Sequence, residues 1–171
     1  VFMQWGIGHL FPAITMAAHV TASPNHQTKR VTPLKFRFDV AMSGRLGFEL
    51  QPCDMTKEEV EFSKRALAEY KRIRPVVQFG DLYRLFSPYE SRVAALMYVH
   101  EKRAVVFAWL MDKWLADSPP PLRLKGLNPA ARYLVREINL DENGPLANVH
   151  ERVLGGDYLM DFGIRINWKN A

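Results

Sequence analysis

Cysteine is nearly missing from this sequence, since Cys53 is the only one among 171 residues. A single thiol excludes an internal disulfide framework and a cysteine-rich zinc site. Its neighbours Pro52 and Asp54 provide no cation that could activate it, so a catalytic cysteine is the less favoured interpretation. The low count is compatible with a reducing compartment but does not assign the protein to one, and its localisation stays unknown.

Long apolar runs and clusters of one charge are missing too. No uninterrupted apolar stretch reaches the roughly 18 residues typical of a membrane span. The formal net charge is +5, but lysine and arginine are spread along the chain instead of being clustered. Neither a membrane nor a nucleic acid is therefore an expected partner. The histidines lack the spacing of metal ligands, so no metal site and no cofactor are expected.

A methionine is missing at the start, where the chain opens with Val1, Phe2 and Met3. No basic segment precedes an apolar one, so the pattern of a signal peptide is missing as well. The first residues have the pattern of the interior of a structural element, and we therefore expect a fragment. Its composition is that of a globular protein, with 48% apolar and 24% charged residues.

Short apolar segments alternate with helix signals in the first half, as in βα units. Ile14–Val20 predicts a buried parallel strand, and Leu46–Leu50 predicts a second one. Between them, Thr32 before Pro33 is typical of a helix N-cap followed by proline at the first helical position. This helix is expected to end shortly before Gly44, which would take the left-handed conformation after it.

The stretch Tyr70–Pro88 marks a change of structure. A long amphipathic helix leads into it, and Thr56 with Glu59 has the capping-box spacing that starts such a helix. Pro75 is expected to end the helix, because proline lacks an N–H and clashes with the preceding turn. An aromatic strand pattern follows the proline.

The second half predicts strands joined by turns. Val93–His100 and Ala104–Met111 flank the loop Glu101–Arg103, which has a length common in hairpins. Arg132–Leu140 shows partial alternation, and Glu142–Pro145 is a turn. No helix is expected after about residue 115. These patterns favour an antiparallel β-sandwich.

Five segments carry a family resemblance when they are taken together. They are AAHVTASPNHQTKRVTPL (Ala17–Leu34), AMSGRLGFEL (Ala41–Leu50), RPVVQFGDLYRLFSP (Arg74–Pro88), PLRLKGLNPAARY (Pro121–Tyr133) and GGDYLMDFG (Gly155–Gly163). In their order and spacing they resemble glycoside hydrolase family 36, the α-galactosidases. The resemblance covers nearly the whole chain.

The resemblance implies a protein with an N-terminal sandwich, a central (β/α)8 TIM barrel and a C-terminal antiparallel β-sandwich. The fold class of this chain would be α/β plus all-β. Residues 1–88 would form the C-terminal part of the barrel domain, and residues 89–171 would form the sandwich. Residues 1–11 would belong to the sixth barrel helix, Ile14–Val20 to strand seven and Leu46–Leu50 to strand eight.

In such a family two aspartates hydrolyse a terminal α-galactoside with retention, one as the nucleophile and one as the acid/base. Retaining chemistry needs the two carboxyl groups roughly 5–5.5 Å apart. The family's nucleophile lies in a Lys-Trp-Asp strand, and its acid/base lies in a Ser-Asp-Asn-Thr-Asp segment. Neither motif occurs in this sequence, so no residue is assigned as catalytic and the chain alone is expected to be inactive.

His19 and His26 are the candidate substrate-binding residues that the resemblance implies. His19 would lie at the C-terminal end of strand seven, on the active face of the barrel, where an imidazole can bond a sugar hydroxyl. The alternative is a histidine that ties the following loop to the barrel. His26 carries similar chemistry on that loop, and Glu49 could line the pocket or simply be exposed. Asp81 is expected to have a structural role.

Two other functions stay open. Sandwich aromatics such as Trp109 or Trp168 could stack on sugars in a non-catalytic carbohydrate-binding module, although packing is the commoner role. A galactosyltransferase acting on raffinose sugars shares the same motifs. The expected partners are α-galactoside sugars in the parent enzyme. Self-association, or contact with the upstream barrel, is also expected, because two parallel strands cannot close a barrel.

Overall fold

The computed structural model describes residues 1–112, 119–140 and 144–168. The chain divides into two compact units, one formed by Phe2–Phe79 and a second that begins at Gly80. The domain division after Pro88 stays a prediction. None of the described helices is both long and apolar enough to cross a membrane.

The first unit contains three helices and two strands. Their bounds are α1 Phe2–Ile7, β1 Ala17–Thr21, α2 Leu34–Ala41, β2 Arg45–Glu49 and α3 Lys57–Phe79. β1 and β2 pair in parallel with His19 opposite Gly47, so the predicted parallel strand pair is confirmed. β1 begins later than predicted, because a 3₁₀ turn at Ala13–Thr15 occupies the start of that apolar segment.

The two ends of α2 differ from the predicted caps. The helix begins one residue later than predicted, so Pro33 and not Thr32 is the N-cap, and no side chain caps the helix. The Thr32 backbone N–H donates to the Ser23 hydroxyl at 3.0 Å. Gly44 does not have a positive φ. A glycine is needed there for close approach, since a Cβ would lie 2.9 Å from the Met16 carbonyl oxygen just before β1.

The predicted capping box starts α3 as expected. The Thr56 N–H donates to Glu59 Oε2 at 3.0 Å, and the Glu59 N–H donates to Thr56 Oγ1 at 3.2 Å. The predicted helix end at Pro75 is wrong, because α3 continues to Phe79. Pro75 is exposed, whereas the two valines that follow it are buried. Their burial offsets the one backbone hydrogen bond that proline removes.

In its described residues, the second unit is built from antiparallel strands and one short helix. The elements are β3 Asp81–Phe86, β4 Val93–His100, β5 Arg103–Leu110, β6 Arg132–Val135, β7 Arg152–Gly155 and α4 Gly156–Asp161. One sheet has the order β3-β4-β5, and β6 pairs with β7 in another. The predicted hairpin is confirmed with a tighter turn, since His100 pairs with Arg103. The short helix α4 was not predicted, because six residues are too few for a helical period to stand out.

One hydrophobic cluster packs elements of the second unit together. Ala95 and Met97 of β4 pack in one cluster with Leu159 of α4. The remaining buried members of the cluster are Leu122, Leu124, Leu127, Val149 and Ile164. Trp114 and the first half of the predicted turn Glu142–Pro145 lie outside the described residues.

Candidate functional site

The two faces of β1 differ in burial, and its partner strand β2 is half-buried or exposed along its length. Ala18 and Val20 of β1 are buried, whereas His19 between them points to the opposite face, as alternation in a strand requires. The register sets Gly47 beside His19 and Glu49 beside Thr21. Because the strands run in parallel, the side chains that follow their carboxyl ends meet at the same edge.

An imidazole and a carboxylate meet at this edge. His19 Nδ1 lies 3.7 Å from Glu49 Oε2, and the two side chains are 47% and 61% exposed. This separation is longer than a hydrogen bond, so the carboxylate acts on the ring through its charge. A ring nitrogen of the neutral imidazole can accept a hydrogen bond from an incoming hydroxyl group.

The His19 ring rests directly on Gly47 of the neighbouring strand. A Cβ added at Gly47 would lie 2.7 Å from His19 Cδ2 and 3.2 Å from Nε2, and its three nearest atoms all belong to the His19 ring. Gly47 thus provides the space in which the imidazole lies across β2.

α3 fixes the start of β2 through one buried tyrosine. The Tyr70 hydroxyl donates to the Gly44 carbonyl at 2.9 Å and accepts the Leu46 N–H at 3.1 Å. Gln78 Nε2 also donates to this oxygen, at 3.3 Å. A long helix therefore holds the strand on which Gly47 and Glu49 are carried.

The loop between β1 and α2 is ordered by its own polar groups. Asn25 Oδ1 accepts the backbone N–H groups of Gln27 at 3.0 Å and Thr28 at 2.9 Å. His26 is exposed within this turn. The loop is also joined to α2 by Arg37, whose pKa is lowered by burial and raised to a smaller extent by the Glu59 carboxylate.

Comparison with known proteins matches both halves of the chain to one family. Residues 1–80 match the family described as Melibiase, and residues 93–171 match the glycosyl hydrolase family 36 C-terminal domain. This chain belongs to glycoside hydrolase family 36. The alignment with α-galactosidase AgaA of Geobacillus stearothermophilus has 37% identity and covers 99% of this chain and 22% of the relative.

Solved structures of family 36 agree with this assignment. AgaB of the same organism has a TM-score of 0.82 at 40% identity, covering 96% of this chain and 21% of that one. A variant of AgaA in complex with raffinose has a TM-score of 0.79 at 39% identity, with the same two coverages. This family 36 chain therefore spans about a fifth of the length of the relatives it matches.

The structure of this family 36 chain brings some predicted site residues together and separates others. His19 and Glu49 are neighbours, and His26 lies on the loop that follows β1. Asp81 is an exposed residue at the first position of β3, which belongs to the second unit. Among the described residues, no group of three His, Cys, Asp or Glu side chains could hold a metal ion.

The two tryptophans considered for sugar stacking differ in exposure. Trp109 is only 3% exposed, and its ring is stacked on Phe107 at a centroid distance of 5.8 Å. Neither face of this indole is open to a sugar, which counts against a binding module built on Trp109. Trp168 is half-buried.

Sequence reasoning missed Gly47, Tyr70 and Arg37 as residues that shape the site. Tyr70 stood out only as the first residue of the stretch Tyr70–Pro88, and its place on an amphipathic helix does not indicate the partners of the hydroxyl. Gly47 could have been found from the register, since it is the residue opposite His19 once the strands are paired. Nothing in the sequence indicates which carbonyl groups Arg37 bonds.

Proposed function

We propose that this chain is the C-terminal part of a retaining α-galactosidase that releases terminal α-galactosyl residues from oligosaccharides. Residues 1–88 would complete a (β/α)8 barrel, and residues 89–171 would form an antiparallel β-sandwich. The observation that carries the proposal is the His19–Glu49 pair in a family 36 chain. Glu49 is the last residue of β2 and His19 lies two residues before the end of β1, and barrel enzymes assemble their active sites at the carboxyl ends of their strands.

In this proposal His19 and His26 bind the sugar and do not take part in bond cleavage. His19 Nε2 accepts a sugar hydroxyl while Glu49 orients the ring through Nδ1, and His26 contacts the substrate from the neighbouring loop. The nucleophile and the acid/base would be aspartates in other parts of the enzyme, held roughly 5–5.5 Å apart. Raffinose, which is bound in the AgaA variant structure, is a substrate of the proposed class.

A hybrid enzyme tests this function directly. The segment of AgaA that aligns with this chain is replaced by the 171 residues, and hydrolysis of nitrophenyl α-galactoside and raffinose is measured. We expect the hybrid to be active and the chain alone to be inactive. His19→Ala in the hybrid should lower kcat/KM about tenfold, the effect of losing one hydrogen bond of roughly 1.4 kcal/mol.

His9→Ala is the matched control, because His9 is an exposed histidine of the same unit outside the strand pair. It should leave kcat/KM unchanged. A hybrid that has a folded circular dichroism spectrum but no hydrolytic activity would contradict the proposed function. Equal effects of the two substitutions would contradict the role of His19.

We also propose that the chain on its own associates with a second copy through its first residues. Leu10 and Phe11 are 80% and 57% exposed, and they follow the exposed Phe2 and Met3 of α1. Several large apolar side chains exposed so close together in sequence favour association. Among the described residues, β1 and β2 also pair only with each other, which leaves an open edge on both sides.

Light scattering over a range of concentrations tests the association. We expect a mass above that of the monomer, and the double substitution Leu10→Ser with Phe11→Ser should shift it to the monomer. Val31→Ser is the control, because Val31 is 75% exposed but lies outside this segment. A monomeric mass of the unsubstituted chain at every concentration would refute the proposal.

A further inference from the structure

We propose that Arg37 is a positioning residue that holds the loop of residues 22–31 in place as a preformed wall of the sugar site. The inference rests on the proposed function, because it gives this loop a task in binding the galactoside. Arg37 itself lies on α2 and is not proposed to touch the substrate.

Arg37 bonds the backbone at both ends of the loop. Its Nη1 donates to the carbonyl oxygen of Thr21, the last residue of β1. Its Nε donates to the carbonyl oxygen of Thr32 at 3.1 Å, shortly before α2 begins. One guanidinium group therefore links the two points at which the loop leaves and rejoins regular structure. Its planar array of donors makes two bonds in fixed relative directions, which a lysine ammonium group does not.

Further bonds inside the loop depend on the same closure. The Thr32 N–H donates to the Ser23 hydroxyl at 3.0 Å, and the Asn25 N–H donates to the Arg30 carbonyl at 2.9 Å. Both bonds join the first part of the loop to the last part. If the ends moved apart, these bonds would break together, and the turn that carries His26 would lose its support.

The setting of Arg37 indicates more than a surface contact. Burial is the main cause that lowers its pKa, and the Glu59 carboxylate opposes this shift. A partly buried guanidinium group with two backbone acceptors is costly to leave unpaired. The bonds to Thr21 and Thr32 are thus a stable part of the first unit.

A loop that is ordered before the substrate arrives does not lose conformational entropy on binding. Loss of the two Arg37 bonds should therefore weaken the binding of substrate without changing the chemical step. In kinetic terms the KM should rise while kcat stays nearly constant, which is the pattern of lost uniform binding.

The hybrid enzyme with AgaA and the chain alone provide two separate readouts. In the hybrid, Arg37→Gln should raise the KM for raffinose about tenfold and change kcat by less than about twofold. The KM of Arg37→Lys should lie between those of the unsubstituted hybrid and Arg37→Gln. In the chain alone, Arg37→Gln should speed hydrogen exchange of the amides of Asn25 and Thr32. Arg74→Gln, at an exposed position on α3, should change neither quantity.

The outcomes separate this inference from the proposed function. If the unsubstituted hybrid hydrolyses raffinose and Arg37→Gln leaves its KM unchanged, the inference is overturned while the function stands. If kcat falls as much as kcat/KM, Arg37 does not act by positioning a binding loop. If the unsubstituted hybrid is folded and inactive, the proposed function fails. If hydrogen exchange of the Asn25 and Thr32 amides is unchanged in Arg37→Gln, Arg37 does not hold the loop, and the inference is overturned in either case.

Discussion

Gly47→Ala in the hybrid enzyme should lower kcat/KM for α-galactosides about tenfold and leave the melting temperature unchanged. The three atoms nearest to the added methyl group would all belong to the His19 ring, with Cδ2 at 2.7 Å. That ring is half exposed and can swing outward, so the backbone of β2 need not move. The swing separates Nδ1 from Glu49 and takes Nε2 away from the position in which, by the proposed function, it bonds the sugar.

A double-mutant cycle identifies the cause of this loss. In a His19→Ala background the ring is gone, so Gly47→Ala should have no further effect on kcat/KM. Gly6→Ala is the control, because a Cβ at Gly6 meets nothing within 4 Å. If the losses of kcat/KM from Gly47→Ala and His19→Ala add on the free-energy scale, the two residues act independently, and Gly47 does not position the imidazole. A melting temperature lowered by several degrees would point to a structural effect instead.

Local signals in the sequence were sufficient for much of the fold. The capping box of Thr56 and Glu59 is complete within four consecutive residues, so its two bonds follow from the pattern alone. The hairpin of β4 and β5 is also local, because a short turn joins two apolar runs. The parallel pairing of β1 and β2 follows from the helix between them.

The errors lie where distant parts of the chain decide the outcome. Pro75 does not end α3, since the two buried valines after it are held by packing that no local rule records. Gly44 is required by the approach of Met16, not by a left-handed turn. In both cases the residue type was read correctly as unusual, but the reason for it came from the tertiary structure.

In the candidate site, too, some residues could be predicted from local signals and others depend on the tertiary structure. His19 and Glu49 could be expected at one edge as soon as their strands were taken as parallel neighbours, and the structure brings them together. The imidazole lies against a glycine on the next strand, and the loop that carries His26 is joined at both ends to an arginine that bonds carbonyl oxygens. Backbone acceptors are the same at every residue, so the sequence contains no signal for the partners of Arg37.

Gly156→Ala should destabilise the second unit strongly, and its effect on stability should exceed those of Gly6→Ala and Gly47→Ala in the first unit. Gly156 is the first residue of α4 and is buried. A Cβ there would fall on the carbonyl oxygen of Asn128 and lie 2.9 Å from its carbonyl carbon. Because the obstacle is backbone, the start of α4 itself must shift. That shift would stretch the bond from the Gly156 N–H to the Ala131 carbonyl, now 2.9 Å, and draw Leu159 out of the core.

We expect the free energy of unfolding to fall by about 3–5 kcal/mol. Overpacking contributes roughly 1–3 kcal/mol, and the bonds from the Gly156 and Asp157 N–H groups to the Ala131 and Pro129 carbonyls contribute roughly 1 kcal/mol each. Urea unfolding followed by circular dichroism measures it. Gly144→Ala is the graded control in the same unit, since a Cβ there meets nothing within 4 Å and only the φ of +70° resists a side chain. It should cost about 1 kcal/mol. Equal losses at the two positions would mean that α4 can move away from Asn128 at little cost, and that the core around Leu159 does not depend on this contact.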